Sequence, residues 1–264
     1  MKLLDPIRIT TLAGLSMGQD WRLALAHDRD VHLLIWISRG QGRLLLNGTR
    51  RGYGTHNAIY VPAGHLFAFE PGRQVIGMVA QVPVGSEARL PETPRQLRLR
   101  DSGPITEISS LLETAQREAN SGRALVQDAL DGYLALISVW LRRQIALTEN
   151  LPTPQTAAGR LSQRVCARIV AHYATTMTIS DHAAALGVTP THLARACKAA
   201  TGHTGADLLT QRVLHAARCA LIETQAPMQE IARHLGFGSA AYFTRFMQTH
   251  TGQTPTSLRN AARG

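Results

Sequence analysis

The spacing of apolar residues changes character twice along the chain. From Ile7 to Val82 apolar side chains fall in short runs, many of them β-branched or aromatic: Ile7–Thr11, Trp21–Ala26, Val31–Ser38, Arg43–Asn47, Asn57–Val61, Leu66–Phe69 and Val75–Val82. Between them stand turn formers, namely Gly40-Gln41-Gly42, Asn47-Gly48, Gly52-Tyr53-Gly54, Pro62-Ala63-Gly64 and Pro71-Gly72. This pattern predicts short strands in a sandwich or barrel, with Asn47-Gly48 as a two-residue hairpin turn. Residues 83–103 read as a loop, broken by Pro83, Pro91 and Pro94 and made basic by Arg95, Arg98 and Arg100. From Ile105 the period is helical. Ile108, Leu111, Leu112 and Ala115 mark one helix that ends near Ser121-Gly122, and a longer one runs from about Ala124 to Leu147. The second carries apolar residues on more than one face, so one face can rest on the strands while another meets a second subunit. Leu130, Leu134, Ile137 and Leu141 are the candidate dimer contacts. Asn150–Gly159, with two prolines and small polar residues, predicts a linker. A helix over Arg160–Tyr173 then opens a second domain.

Beyond residue 177 one pattern occurs twice. Thr178-Ile179-Ser180-Asp181-His182-Ala183-Ala184-Ala185-Leu186-Gly187 is followed by Leu193-Ala194-Arg195 and Thr201-Gly202-His203-Thr204. Pro227-Met228-Gln229-Glu230-Ile231-Ala232-Arg233-His234-Leu235-Gly236 is followed by Phe243-Thr244-Arg245 and Thr251-Gly252-Gln253-Thr254. Ala183 and Gly187 map onto Ala232 and Gly236 at a spacing of 49, and Arg195 and Gly202 onto Arg245 and Gly252 at 50. Such a match over two lengths points to an internal duplication. Each copy has the grammar of a helix-turn-helix. Thr178 with Asp181 is a capping-box start, Gly187 suits a left-handed turn, and Thr189-Pro190 is N-cap and first residue of a second helix. Leu193, Ala196, Cys197 and Ala200 give that helix an apolar side. In the second copy Ser239 is the expected N-cap, and Tyr242, Phe243, Phe246 and Met247 supply the apolar side. A helix over about Ala206–Glu223 separates the copies and fixes their distance.

The string Ile231-Ala232-Arg233-His234-Leu235-Gly236-Phe237, Ala241-Tyr242-Phe243-Thr244-Arg245-Phe246, Thr251-Gly252-Gln253-Thr254-Pro255 and Leu258-Arg259 resembles the signature of the AraC/XylS family of bacterial transcription regulators. It departs from that pattern at Met247, and at Cys197 in the first copy, where the family usually or often has Phe. The resemblance implies base-reading positions at Thr191, Ala194 and Arg195 and at Ala240, Ala241 and Arg245. His192, Lys198, Thr244 and Gln248 complete the exposed sides of the two second helices. Ser38-Arg39-Gly40-Gln41-Gly42 with Val61-Pro62-Ala63-Gly64 resembles the cupin-like sensing domain common in that family. Trp21, Trp36, Tyr60 and Phe67 are candidates to line an effector pocket there, with Arg22 or His65 to meet an acid group. The four histidines of this region, His27, His32, His56 and His65, are scattered. The metal histidine of a cupin would be expected near Phe67, which is apolar, so no metal or other cofactor is expected.

Composition sharpens this picture. The chain carries 28 Lys and Arg against 18 Asp and Glu, a formal charge of +10, of which +7 falls within residues 151–264. A basic second half suits a polyanion such as DNA. Three cysteines without Cys-x-x-Cys spacing, Cys166, Cys197 and Cys219, read as buried thiols of a reducing compartment. No signal-peptide core follows Met1, and the apolar run Tyr133–Leu141 is too short to span a bilayer, so a cytoplasmic protein is expected. The expected fold class is α+β: a cupin-like β domain (1–103), dimerisation helices (104–149), a linker (150–159) and an all-α domain with two helix-turn-helix motifs (160–264). The expected function is a sequence-specific regulator of transcription and not an enzyme. It is read as an activator controlled by a small effector, an aromatic or other organic acid, with double-stranded DNA, RNA polymerase and a second copy of the chain as partners. A fragment of residues 155–264 should then keep DNA binding and lose the effector response. Two alternatives keep the same motifs: a constitutive regulator whose barrel only dimerises, and a metal cupin enzyme fused to a DNA-binding domain.

Overall fold

The computed structural model describes residues 6–147 and 156–262. The chain divides into two compact units. The first comprises residues 1–20, 28–46 and 51–154, and the second residues 21–27, 47–50 and 155–264.

The first unit is built on strands β1 (Arg8–Thr11), β2 (Val31–Arg39), β3 (Gly42–Leu46), β4 (Thr49–Tyr53), β5 (Asn57–Val61), β6 (Phe67–Pro71), β7 (Ile76–Pro83) and β8 (Arg95–Arg98). They form a five-stranded sheet in the order β1-β7-β2-β5-β8 and a three-stranded sheet in the order β4-β3-β6. The pairs β1–β7, β2–β7, β2–β5, β5–β8 and β3–β6 are antiparallel. Asn47 and Gly48 both have positive φ, 52° and 67°, as a two-residue hairpin turn between β3 and β4 demands. β2 sits in the middle of its sheet, and its run Leu33–Ile37 is buried on both faces. This is why it reads as a continuous apolar stretch rather than an alternating one.

Leu34, Trp36, Ala58, Tyr60 and Leu97 form one core with Ile108 and Leu112 of α3 (Ser102–Ala119) and Ile137, Trp140 and Leu141 of α4 (Val126–Ala146). Both indole N–H groups in this core are satisfied. Trp36 donates to the Ser109 hydroxyl and Trp140 to the Pro104 carbonyl, each at 3.1 Å, so burial of the rings leaves no unpaired donor. Leu130 and Leu134 pack with Ile7, Val82 and Ala115. The four leucine and isoleucine positions expected at a dimer seam, Leu130, Leu134, Ile137 and Leu141, are therefore core residues of a single chain. The apolar period identified the buried face of α4 but not its partner. The outward face of α4 presents Leu136, 55% exposed.

Three further expectations change. The segment from Trp21 is a short helix, α2 (Trp21–Ala24), and not a strand, and Leu12–Ser16 forms a helix, α1. The loop expected over 83–103 contains β8, whose Leu97 is fully buried beside β5. Residues 150–155 of the expected linker lie outside the described residues. Its last residues form the start of α5 (Ala157–His172), capped by the Thr156 hydroxyl on the Gly159 N–H.

The second unit continues with α6 (Ile179–Ala185), α7 (Pro190–Thr201), α8 (Gly205–Glu223), α9 (Met228–His234), α10 (Ala240–Thr251) and α11 (Pro255–Ala261). The helix pairs α6–α7 and α9–α10 have the same lengths, 7 and 12 residues. Leu214, Ala217 and Leu221 of α8 share a core with Ile231, Ala232, Leu235, Phe243, Met247 and Leu258. Trp21–His27 belongs to this unit as well. Arg22 pairs with Glu223, the Ala26 N–H donates to the Gln211 side chain, and the His27 and His215 rings stack 4.2 Å apart.

Candidate nucleic-acid interface

The two helix pairs are positioned by matching local devices. In the first turn the Gly187 N–H donates to the Ala184 carbonyl and the Val188 N–H to Ala183. In the second, Gly236 donates to Arg233 and Phe237 to Ala232. Both glycines are left-handed, with φ of 71° and 77°, where a side chain would be strained. Ala183 and Ala232 are buried, so neighbouring helices approach closely there. The Thr189 hydroxyl caps α7 through the His192 N–H at 3.2 Å, and the Ser239 hydroxyl caps α10 through the Tyr242 N–H at 3.1 Å. The exits match too: Thr201 donates to the Cys197 carbonyl and accepts from the His203 N–H, as Thr251 does with Met247 and Gln253. The expected boxes and caps at Thr178-Asp181, Thr189-Pro190 and Ser239 are all present.

The copies differ at their entrances. α6 begins with a full capping box: the Thr178 hydroxyl accepts from the Asp181 N–H, and the Asp181 carboxylate accepts from the Thr178 N–H. These bonds hold the Asp181 carboxyl below the usual carboxylate range. α9 begins on Pro227 without a side-chain cap. Arg259 of α11, missed as a positioning residue, instead reaches back to the carbonyls of Leu221 and Ala226 and fixes the turn leading into α9.

On α7, Thr191, His192, Arg195 and Lys198 are exposed and Ala194 is half-buried, while Leu193, Ala196 and Cys197 face inward. On α10, Ala240, Ala241, Arg245 and Gln248 are exposed and Thr244 is half-buried, while Phe243 and Met247 face inward. The expected reading residues of each copy thus share one exposed side. Neither helix carries an acidic residue. Tyr242 departs from expectation: the apolar period placed it inside, yet it is 59% exposed, its ring 5.6 Å from that of Phe237. The buried thiols of Cys166 and Cys197 are pushed up to about 12 and about 11, which keeps them protonated and unreactive.

His182 is the anomaly of the domain. It occupies the place that Ile231 holds in the second copy, and it is fully buried with neither ring nitrogen bonded. Burial, then the neighbouring Arg168 and His172, hold its pKa below the ordinary 6.5. The unfolded chain therefore takes up this proton as pH falls through about 6.5, and the folded chain does so only at lower pH. Stability of the second unit should be complete above that value and decline below it. His182→Ile should flatten the decline, measured by urea unfolding followed through helical circular dichroism at pH 7.5 and pH 5. An unchanged slope would show that other groups govern it.

The six residues expected at an effector pocket do not converge. Trp21 and Arg22 lie in the second unit, where Arg218 covers the Trp21 ring at 4.2 Å and Arg22 pairs with Glu223. Trp36 and Tyr60 face α3 and α4, and Phe67 is buried on β6. His65 is half-buried near His32, whose Nδ1 accepts from the Ala63 N–H and meets the Tyr60 hydroxyl at 3.0 Å. Among the described residues no three His, Cys, Asp or Glu side chains are grouped to hold a metal, and no helix is long and apolar enough to cross a membrane.

Residues 182–261 match the family model described as "Helix-turn-helix domain". No curated protein matches the chain. Among solved structures, the C-terminal domain of AraT, a response regulator from Geobacillus stearothermophilus, is 26% identical. That match covers 40% of this chain and 88% of that one, with a TM-score of 0.38. The C-terminal domain of the two-component response regulator yesN from Fusobacterium nucleatum is 25% identical over 36% of this chain and 93% of that one, with a TM-score of 0.35. Wild-type ToxT from Vibrio cholerae, bound to an unsaturated fatty acid, is 12% identical over 98% of this chain and 97% of that one, with a TM-score of 0.44. Residues 182–261 thus form a helix-turn-helix domain of the AraC type.

Proposed function

We propose that both helix pairs are helix-turn-helix motifs which enter successive major grooves, with α7 and α10 as the reading helices. The observation that carries this reading is the repeated exposed basic side: Arg195 and Arg245 at equivalent places, on helices without an acid, capped by equivalent hydroxyls. Arginine can bridge guanine O6 and N7 with two hydrogen bonds. Arg195→Ala and Arg245→Ala should each weaken specific binding by about 1–3 kcal/mol and relax preference at one base position. Lys198→Ala should weaken all duplexes alike and lower the salt slope by about 1. Fluorescence anisotropy with duplexes selected on the full chain measures both. Unaltered binding by both arginine variants would rule the reading out.

The first unit is read as a cupin-like sensing domain. Its support is a cavity of about 680 Å³ bounded by Ile7, Pro83 and Leu134, with Glu87 and Asp131 in its wall. Its apolar floor suits a small organic guest, and the two carboxylates favour one with a positive charge over the organic acid expected from sequence. A ligand that prefers one of two states shifts their populations, and with them DNA binding. Activation, contact with RNA polymerase and pairing of two chains through the outward face of α4 complete the proposal. A thermal-shift screen of the full chain against small amines and small acids tests the sensing role. A rise in melting temperature with neither class would favour a constitutive regulator.

A further inference from the structure

The cavity of the first unit lies under one loop. β7 ends at Pro83, opposite Val31 of β2, and the chain then arches through residues 84–88 alongside α4. Both ends of the arch are fixed. The Ser86 N–H donates to the Pro83 carbonyl at 3.3 Å, and the Ser138 hydroxyl of α4 donates to the Arg89 carbonyl at 2.7 Å. Ala88 and Leu90 pack with the cluster of Ile7, Leu130 and Leu134. The space of about 680 Å³ is therefore formed before any guest arrives. Its floor is apolar, since Ile7 and Leu134 are buried. Its rim is acidic: Glu87 on the arch and Asp131 on α4 are both exposed. The chain as a whole carries +10. Yet among the described residues the cavity wall holds these two carboxylates and no lysine, arginine, histidine or aromatic ring. Neither carboxylate is paired with a basic side chain among the described residues. Asp131 accepts instead from the Gln127 amide, one turn earlier and also in the wall, at 3.4 Å. That is long for a bond to a carboxylate.

We infer that this cavity takes a primary or secondary organic ammonium ion with an apolar body, whose N–H groups bridge Glu87 and Asp131 and displace the Gln127 amide. The inference rests on the reading of the first unit as a sensing domain and narrows its guest. The apolar body covers Ile7 and Leu134, and the charged end stays at the rim, where water and two carboxylates both reach it. A carboxylate guest would bring a third negative charge to that rim. A quaternary ammonium is excluded for a different reason. It has no N–H to donate, and such ions are held by aromatic faces, which this wall lacks. Gln127 is a placeholder: its amide supplies Asp131 with a neutral donor that a cationic N–H outcompetes. The bound ion would join the arch to α4, two elements that Ser138 and Arg89 already join at the far end of the arch.

The test titrates the full chain by calorimetry with benzylamine and hexylamine, with their trimethylated forms, and with benzoate and hexanoate. Within each set the apolar body is constant and only the charged group changes. An amine should bind about tenfold or more tightly than its trimethylated form and its acid. Glu87→Gln and Asp131→Asn should each weaken amine binding about three- to fivefold, as expected of exposed ion pairs. Gln127→Lys supplies an ammonium from the chain itself and should weaken added amine at least as much. All three positions are exposed, and thermal unfolding of each variant without ligand checks that it folds. Acids that bind where amines do not overturn the inference. So do trimethylated forms that bind as well as the amines, and amine binding that all three variants leave unchanged. Each of these results leaves a sensing role intact. Binding by neither amines nor acids overturns the sensing reading as well.

Discussion

Gly236→Ala is expected to cost the second helix pair about 3 kcal/mol, from left-handed strain of about 1–2 kcal/mol and overpacking of similar size. A methyl group built on Gly236 would lie 2.5 Å from the Thr175 carbonyl oxygen and 2.6 Å from its carbon, both backbone atoms that cannot step aside. The equivalent glycine supplies an internal control. Gly187 has nearly the same φ, but a methyl group there meets nothing within 4 Å. Gly187→Ala should therefore cost only the strain, about 1–2 kcal/mol. Urea unfolding of the two variants of the full chain, followed through helical circular dichroism, measures the difference. Equal losses would mean that Thr175 does not press on the second turn.

The fragment of residues 155–264 should be markedly less stable than the same helices in the full chain. It lacks Trp21–His27, which the second unit uses as one of its own parts. Its loss would uncover His215 and strip α8 of the Trp21–Arg218 contact at 4.2 Å, the stacked His27 ring at 4.2 Å, and the Arg22 partner of Glu223. Trp21→Ala in the full chain should reproduce part of this. A cation-π contact and a half-buried aromatic ring together amount to about 2 kcal/mol. The experiment compares chemical unfolding of the fragment, the full chain and the variant. A fragment as stable as the full chain would show that the segment is dispensable. If instead it is unstable, weak DNA binding by the fragment reports unfolding and says nothing of an effector.

What was legible in the sequence was local. Thr178-Asp181, Thr189-Pro190, Ser239 and the two turn glycines act within a few residues of themselves, so their chemistry can be read without a partner, and it led to Arg195 and Arg245. The failures concern partners distant in sequence. Trp21–Ala26 suits a strand or a helix equally, and α8, almost 200 residues later, decides between them. Arg95–Arg98 has one inward residue, Leu97, and becomes a strand only because β5 offers an edge. The period of α4 marked a buried side without saying that α3 and the sheet, and not a second chain, bury it. Aromatic type likewise predicted that Trp36 and Tyr60 are buried, not which way they face.

The duplicated pairs are joined by α8, an unbroken helix of 19 residues, about 28 Å long at 1.5 Å per residue. A helix of this kind sets angle as well as distance. Adding one residue to it advances everything beyond by only about 1.5 Å but rotates it by about 100°. On the proposed reading of α7 and α10, the exposed side of α10 would then turn away from the DNA face that α7 meets. The short links before α7 and α10 have no such phase, and they already differ by one residue between the copies. Insertions in those links are therefore tolerable adjustments of reach, whereas an insertion in α8 is a dephasing of the two helix pairs. Four added residues, close to one full turn, would come nearer to restoring register than one, two or three.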